Sequence, residues 1–420
     1  MLQYTRQSNV YEVNLRQYSQ SGSFYAFAEH LPRLKDMGVE ILWFMPITPI
    51  GVVGRKMSAA DLGSYYAVRD YWSTNEEFGT LDEWKGLVKN MHDMGFKVIV
   101  DWVANHTAPD HRWTVSNPEY YHRDNEGNIL PPNEDWTDTR QLDHSNADMR
   151  KAMIDAMKFW ITETGIDGYR CDMAKLVSPD FWKECITELK SVKDVLMIAE
   201  AEDPGYYEAG FDAQYTWSIF HAMKNLYNQN LSVQQFFSVI DDNFNKLGEK
   251  GLRLFFTSNH DENTWNGTEY DLFGDAVKCF TVLCFTMKQS LPLIYSGQEI
   301  PNKKRLQFFT KDPIEWGESY EMAGFYKTLI DLRKAHPSLA ADASYRRVNT
   351  DNDNAIFAYI RESGSSKVLV LLNLSNSFLT FSIADTSIEG SWTKVFTGNK
   401  QDLSTPDFQL PPWGYDVYVL

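Results

Sequence analysis

Short apolar runs recur along the first three quarters of the chain, and most precede a longer segment with apolar positions at helical spacing. The predicted strands are Val10–Leu15, Glu40–Met45, Lys97–Val103, Gly168–Cys171, Val195–Ala199, Leu252–Phe256 and Leu291–Tyr295. The predicted helices are Phe24–Met37, Leu81–Met94, Ala147–Thr164, Phe181–Lys190, Asp271–Met287 and Tyr320–Lys334. Alternating strands and helices indicate parallel βαβ units with strands buried on both faces. About eight units over roughly 330 residues predict an α/β fold, a (β/α)8 TIM barrel with insertions.

Two segments interrupt this alternation. Thr107–Leu142 is polar and irregular, and it leaves the chain just after the third predicted strand, at the catalytic end of such a barrel. Leu339–Leu420 contains short alternating runs separated by Asn, Asp, Gly and Ser, which is typical of an antiparallel β domain. We therefore predict a barrel, domain A, over residues 1–106 and 143–338, an inserted domain B over 107–142, and a C-terminal β-sandwich, domain C, over 339–420.

Composition and charge exclude several classes of function. The chain carries 57 acidic against 40 basic residues, a net charge of −17. Nucleic acid is therefore excluded as a partner, because a phosphate-binding surface needs clustered Lys and Arg. The chain has no run of about 18 apolar residues, so no membrane span is predicted. The first residues lack the pattern of a signal peptide. The cellular compartment stays open, and we expect a monomer.

Aromatic residues make up 14 % of the chain. Tyr and Trp present flat apolar faces with a polar edge, which suit sugar rings, although most of these residues must serve the core.

Polar side chains follow four of the predicted strands, where catalytic residues of a barrel lie. They occur in the segments Asp101–His106, Asp167–Lys175, Ile198–Glu200 and Thr257–Asp261. These four segments bring carboxylates, an Arg, a Lys and two His to one rim. Paired carboxyl groups are the requirement for glycoside hydrolysis, in which one attacks or stabilises and the other donates a proton.

The spacing of these groups predicts their roles. Arg170 and Asp172 are two residues apart and share one face of a strand. We expect Arg170 to lower the pKa of Asp172 and keep it ionised as a nucleophile. Glu200 follows the apolar run VLMIA, and partial burial there disfavours the charged form, as a proton donor requires.

These segments resemble the α-amylase family of glycoside hydrolases, family 13. The matches are DWVANH, GYRCDMAK, IAEAE and TSNHDEN, in the order of the family, flanked by ILWFMPITPIG, GSYYAVRDYW and YSGQEI. The resemblance covers the whole chain, including domains B and C. It implies that Asp172 is the nucleophile, Glu200 the general acid/base and Asp261 the transition-state stabiliser.

The resemblance also implies further contacts to substrate. It implies that Tyr66 is the stacking platform under the sugar at the cleavage site. That sugar would receive hydrogen bonds from His106, Arg170 and His260, with support from Asp101. Lys175 would contact the next sugar. The family retains anomeric configuration through a covalent glycosyl-enzyme. We therefore predict a retaining, endo-acting α-1,4-glucan hydrolase, an α-amylase acting on starch, glycogen or maltodextrins.

Calcium is an open cofactor prediction. Asn105 matches the calcium-binding Asn of the family, and Asp138 is our expected second ligand, since calcium prefers oxygen ligands. Domain B is short, however, and some family members lack the ion.

Two departures from the family pattern keep other activities open. Leu176 follows Lys175 where amylases often have His, and the segment QLDHS at residues 141–145 matches neither the oligo-1,6-glucosidase nor the neopullulanase pattern. The second departure favours an α-1,4 amylase. The alternatives are an oligosaccharide α-glucosidase, a neopullulanase-like hydrolase or an α-glucanotransferase, and a non-catalytic binding subunit, which would be expected to lack part of the carboxylate trio.

Overall fold

The computed structural model describes residues 2–55, 61–404 and 407–420. Its strands are β1 Val10–Val13, β2 Ile41–Phe44, β3 Lys97–Val103, β4 His106–Thr107, β5 Arg140–Gln141, β6 Gly168–Asp172, β7 Leu196–Ala199, β8 Ala213–Tyr215, β9 Leu252–Phe255, β10 Ser290–Tyr295, β11 Ser344–Val348, β12 Ile356–Ser363, β13 Ser366–Asn373, β14 Leu379–Ser382, β15 Ser391–Lys394, β16 Lys400–Asp402, β17 Asp407–Leu410 and β18 Tyr415–Val419. Its α-helices are α1 Leu15–Tyr18, α2 Phe24–Ala28, α3 Leu31–Met37, α4 Leu81–Asp93, α5 Trp113–Ser116, α6 Ala147–Thr164, α7 Pro179–Lys190, α8 Pro204–Glu208, α9 Trp217–Tyr227, α10 Val233–Leu247, α11 Glu269–Phe273, α12 Val277–Thr286 and α13 Ala323–Ala335.

Eight parallel strands close into a barrel in the order β1-β10-β9-β8-β7-β6-β3-β2. The strands are buried almost throughout, which explains their apolar composition, because helices cover the outside and side chains fill the inside. The predicted (β/α)8 barrel is confirmed. Parallel strands direct all their carboxyl ends to one rim, so the polar residues that follow them converge there.

All seven predicted barrel strands occur, and the structure adds an eighth, β8. This strand has only three residues, Ala-Gln-Tyr, and its central Gln214 is fully buried. A polar residue in the middle of so short a strand leaves no apolar run to detect. Helices α9 and α10, on either side of residue 230, were also not predicted.

Two predicted helices are interrupted. The helix predicted over 24–37 breaks between α2 and α3, where Pro32 occupies the first turn of α3. The helix predicted over 271–287 breaks at Gly274, whose φ of +45° ends α11 before α12 begins.

Domain B lies between β3 and β6 and is anchored by a two-stranded antiparallel pair, β4 with β5. His106 pairs with Gln141 in this ladder. The inserted segment therefore begins and ends at the rim of the barrel, beside the carboxyl ends of the strands.

Domain C is an antiparallel sandwich, as predicted. Its six-stranded sheet has the order β11-β12-β13-β18-β15-β16, and β14 pairs with β17 in a second sheet. Side chains between the two sheets, including Leu369, Phe381 and Phe408, form a core of their own. The opposite face of the large sheet, with Phe357 and Val370, belongs to the core of the barrel. Within the described residues, no helix has the length and apolar character that a membrane span requires.

Arg361 joins domain C to the barrel. Its side chain is fully buried and donates hydrogen bonds to the carbonyl oxygens of Thr286 (2.8 Å), Ala340 (2.7 Å) and Ser344 (3.0 Å). These carbonyls close the turn after α12 and the chain that enters domain C, so one guanidinium satisfies acceptors on both sides of the junction.

Arg361→Ala should destabilise the protein by about 3 kcal/mol or more, because each buried carbonyl left without a donor costs about 1–3 kcal/mol. Urea unfolding followed by circular dichroism measures this. Arg346→Ala is the matched control: Arg346 forms an ion pair with Asp385 at the surface, and its loss should cost at most about 1 kcal/mol. Equal losses for the two variants would contradict this role of Arg361.

Candidate active site

The register between β6 and β7 brings Asp172 and Glu200 together. Cys171 pairs with Ala199, and the Glu200 amide donates to the Cys171 carbonyl at 3.1 Å. The two strands approach closely at Gly168, where a Cβ atom would lie 1.9 Å from the Leu196 carbonyl oxygen. Gly168, at φ +152°, therefore permits the strand spacing that places the two carboxyl groups side by side.

Arg170 is the buried cation between the acidic side chains. Its Nη1 lies 2.9 Å from Asp101 Oδ1 and 3.1 Å from Asp172 Oδ1. Its Nη2 lies 2.9 Å from Glu200 Oε2, as an ion pair whose angle is unsuited to a hydrogen bond. Nε donates to Tyr215 Oη at 3.0 Å. One fully buried guanidinium thus positions three carboxyl groups.

The two central carboxyl groups each keep one oxygen outside this network. Glu200 Oε2 also accepts a hydrogen bond from the Met173 amide at 2.7 Å. Met173 has a φ of +42°, an unfavourable conformation for a side chain of this kind, which turns its amide toward Glu200. Asp172 Oδ2 and Glu200 Oε1 have no hydrogen-bond partner in the described part of the chain, and both residues line the cleft.

The charge balance of the site corrects one prediction. Burial, and then the neighbouring Glu200 carboxylate, raise the pKa of Asp172 well above its ordinary value, although Arg170 opposes them. The predicted net lowering of this pKa by Arg170 is therefore wrong, because burial is the larger effect and Glu200 adds to it. Burial likewise raises the pKa of Asp101 to about 6, again against Arg170.

A second set of contacts surrounds His260. Its Nε2 lies 2.6 Å from Tyr66 Oη and 3.4 Å from Asp261 Oδ2, and its Nδ1 contacts Glu12 Oε1. Tyr66 Oη also donates to Asp101 Oδ2 at 3.2 Å, which joins the two networks. Burial alone would lower the pKa of His260, but Asp261 and Glu12 outweigh it and raise this pKa to about 9. The imidazole is therefore a second cation of the site at neutral pH.

His106 is neutral by contrast. Burial lowers its pKa to about 4. Asn105 Nδ2 lies 3.2 Å from His106 Nδ1.

The cleft above these groups has a volume of about 520 Å³ and aromatic walls. The ring of Tyr66 stacks on Phe308 (centroids 6.3 Å apart, 13° between planes), and Trp265 packs against Phe308 at 5.3 Å. Trp136, from domain B, lines the cleft beside His106. Flat rings on both sides of a carboxylate pair suit a sugar chain, which stacks on aromatic faces.

Lys175 lies outside this cleft, in a second cavity of about 500 Å³. Glu200 lines both cavities, and Trp217, His221 and Glu262 line the second. The predicted trio thus lines the first cavity, together with Tyr66 and His106. Three further residues, Asp101, Arg170 and His260, contact that trio or support it. Lys175 lies beyond Glu200.

The two residues predicted to bind calcium, Asn105 and Asp138, lie in different surroundings. The Asn105 side chain is buried and donates to His106, whereas Asp138 lines the cleft. Among the described residues, no group of three or more His, Cys, Asp or Glu side chains is arranged to hold a metal ion. Calcium therefore stays a prediction, and no step of the proposed reaction depends on a metal.

Sequence reasoning missed four residues of the site: Glu12, Met173, Tyr215 and Phe308. Glu12 is the only acid in the apolar strand β1 and is fully buried, so its position alone was a detectable signal. Tyr215 was missed together with its strand. Met173 and Phe308 depend on loop conformations that carry no local pattern.

Glu12→Gln should remove part of the pH-dependent stability that His260 provides. Because its folded-state pKa of about 9 exceeds the ordinary value of about 6.5, this contribution, about 3 kcal/mol, is fully present below pH 6.5 and is lost as the pH rises through 9. The variant should therefore be less stable than the wild type at pH 6.5, and the difference should narrow by pH 9.5. Urea unfolding across this range measures it, and a difference independent of pH would contradict the assignment.

Comparisons with known proteins identify the family of this chain. The family model "Alpha amylase, catalytic domain" matches residues 9–321, and that of the α-amylase SusG C-terminal domain matches residues 356–414. α-Amylase 3 of Dictyoglomus thermophilum is 25 % identical, over 88 % of this chain and 85 % of its own length.

Solved structures match over nearly the whole chain. The noncanonic maltogenic α-amylase of Thermotoga neapolitana is 27 % identical with a TM-score of 0.89, and an α-amylase from Lactobacillus plantarum is 26 % identical with the same score. Each comparison covers 99 % of both chains. The chain belongs to the α-amylase family and is a glycoside hydrolase that acts on α-glucans.

Proposed function

We propose that this enzyme is a retaining, endo-acting α-1,4-glucan hydrolase that cleaves starch, glycogen or maltodextrins through a covalent glycosyl-enzyme on Asp172. The observation that carries the proposal is the arrangement of Asp172 and Glu200 on Arg170, in which each carboxyl group is held by one oxygen and keeps the other for reaction. Retaining glycosidases need such a pair, one as nucleophile and one as acid.

In the first step, Asp172 Oδ2 attacks the anomeric carbon while the bond to the leaving oxygen breaks and Glu200 gives that oxygen its proton. In the second, Glu200 takes a proton from water, the water oxygen bonds to the anomeric carbon, and the bond to Asp172 breaks. Asp261, beside the charged His260, stabilises positive charge on the sugar ring. Tyr66 stacks under that ring, and neutral His106 forms a hydrogen bond to it.

Endo action follows from space on both sides of Glu200. The cleft and the second cavity share this residue, so a chain bound across the acid extends in both directions. Lys175 and Trp217 would then contact the leaving part of the chain. The non-catalytic alternative is disfavoured because the trio is complete and lines one cleft.

A hydrolase releasing mainly maltose is the second candidate, favoured by the similarity to a maltogenic α-amylase over 99 % of the chain. The α-glucosidase, neopullulanase-like and transferase alternatives share the trio and differ in the loops around it.

The product profile distinguishes these activities. We expect soluble starch to yield a mixture of malto-oligosaccharides early in the reaction, with a rapid fall in viscosity, because endo cleavage shortens chains from within. Chromatography of products from starch, pullulan and maltotriose measures this. Glucose as the sole early product, maltose alone or longer transfer products would each replace the endo-amylase proposal with the corresponding alternative.

Asp172→Asn should reduce kcat on starch by at least about 10³-fold, since it removes the nucleophile. Glu200→Gln should lose less activity on a glucosyl fluoride, whose leaving group departs without a proton, than on starch. Asp194→Asn, at an exposed carboxylate, is the charge-matched control and should keep full activity. Substantial starch hydrolysis by the Asp172 variant would contradict the assignment of the nucleophile.

A further inference from the structure

A third cavity, of about 430 Å³, lies between the barrel and domain C. The turn from α9 to α10 forms one wall, and loops of domain C with Asn354, Asn376 and Trp413 form the other. None of its lining residues lines the cleft or the second cavity. We call this cavity the interdomain groove.

The interdomain groove is neutral although the chain is strongly acidic. Its described lining contains no charged side chain, and more than half of it consists of amide and hydroxyl groups over an apolar floor. The polar members are Gln229, Asn230, Ser232, Gln235, Asn354, Ser375 and Asn376. This is a surface of hydrogen-bond donors and acceptors without net charge.

Several of these groups are available to a ligand. The side-chain amides of Gln229, Asn230 and Asn376 belong to exposed residues, and no hydrogen bond of theirs occurs within residues 2–55, 61–404 and 407–420. The indole N–H of Trp413 likewise donates to no group in this part of the chain, and the residue is 8 % exposed where it lines the groove. Its ring packs on Tyr227 at 5.4 Å and is therefore fixed.

Backbone conformation on both walls is unfavourable and held in place. Gln229 has a φ of +60° and Trp413 a φ of +52°, which bulky residues rarely adopt. Strained positions of this kind cluster where a site is being shaped. Asn373 supports the Trp413 turn, since its buried amide donates to the carbonyls of Ser377 (2.7 Å) and Pro411 (2.8 Å).

The two walls are also joined across the domain boundary. Gln234 Nε2 donates to the Asp353 carbonyl at 2.9 Å, and the rings of Phe237 and Phe357 pack with centroids 4.8 Å apart. The interdomain groove is therefore preformed, so a ligand would not have to order it on binding.

We propose that the interdomain groove is a second, non-catalytic binding site for a neutral α-glucan chain. Amides match adjacent sugar hydroxyls, which both donate and accept, and an uncharged lining avoids burying a charge against a neutral ligand. The apolar floor with Trp413 suits the apolar face of a sugar ring. The proposal rests on the proposed function for the identity of the polymer, and it adds a site that holds substrate without cleaving it.

Calorimetric titration of Asp172→Asn with maltoheptaose tests the proposal, because this variant keeps the cleft but does not hydrolyse the oligosaccharide during the titration. We expect two molecules bound per chain. Adding Asn230→Ala and Asn376→Ala should weaken one of the two sites about tenfold or more, from the loss of two neutral hydrogen-bonding groups, and should reduce retardation in starch-containing native gels. Adding Asn90→Ala and Asn399→Ala, two exposed amides outside the groove, is the matched control and should change neither.

Hydrolysis of maltotriose by the otherwise wild-type groove variant should be unchanged, which shows that its fold and cleft are intact. A single bound molecule in the Asp172 variant, or two sites that survive the groove substitutions, would overturn the proposal while starch hydrolysis by the wild type upholds the proposed function. An inactive wild type whose starch binding depends on Asn230 and Asn376 would instead overturn the proposed function and support the groove. Absence of binding to any α-glucan would overturn both.

Discussion

The buried guanidinium of Arg170 is the interaction on which the active site depends. It contacts Asp101, Asp172 and Glu200, and through Tyr66 and Asp101 it is connected to His260. Removing a charge of this kind would leave three carboxyl groups close together in a site that excludes water, where repulsion is weakly screened.

Arg170 and His260 do not balance the acids around them. Glu12, Asp101, Asp172, Glu200 and Asp261 are five carboxyl groups against two cations. Burial raises the pKa of Asp101 and of Asp172, and the neighbouring Glu200 carboxylate adds to the rise. In the proposed reaction, carboxylates that are oriented before the reaction begins stabilise a sugar ring that becomes positive at its anomeric carbon.

The sequence could predict the barrel and the gathering of the predicted trio at one cleft, because both follow from local patterns. Apolar runs mark strands, and residues at or just after the carboxyl end of a barrel strand lie at one rim, as Asp172 and Glu200 do. The sequence could not predict the direction of the Asp172 pKa. The two-residue spacing places Arg170 beside Asp172, but only the packed structure shows how deeply Asp172 is buried and that Glu200 lies next to it. The polar Gln214 left no apolar run that would predict β8. Tyr215, which accepts a hydrogen bond from Arg170 Nε, was therefore missed with this strand.

The charged cleft and the interdomain groove place opposite demands on a ligand. In the proposed reaction, buried charges in the cleft act on a sugar ring that becomes charged. The acids there are shielded from solvent, and the pKa values of Asp101 and Asp172 are raised as a result. In the interdomain groove, sugar hydroxyls would form hydrogen bonds with side-chain amides and no group would change its charge. Neutral side chains and a fixed tryptophan are therefore enough for binding. Most of the net charge of −17 lies on the rest of the chain, because the active-site cluster has only three more carboxyl groups than cations. This negative charge repels polyanions, and it does not hinder the binding of neutral sugars in the cleft or in the interdomain groove.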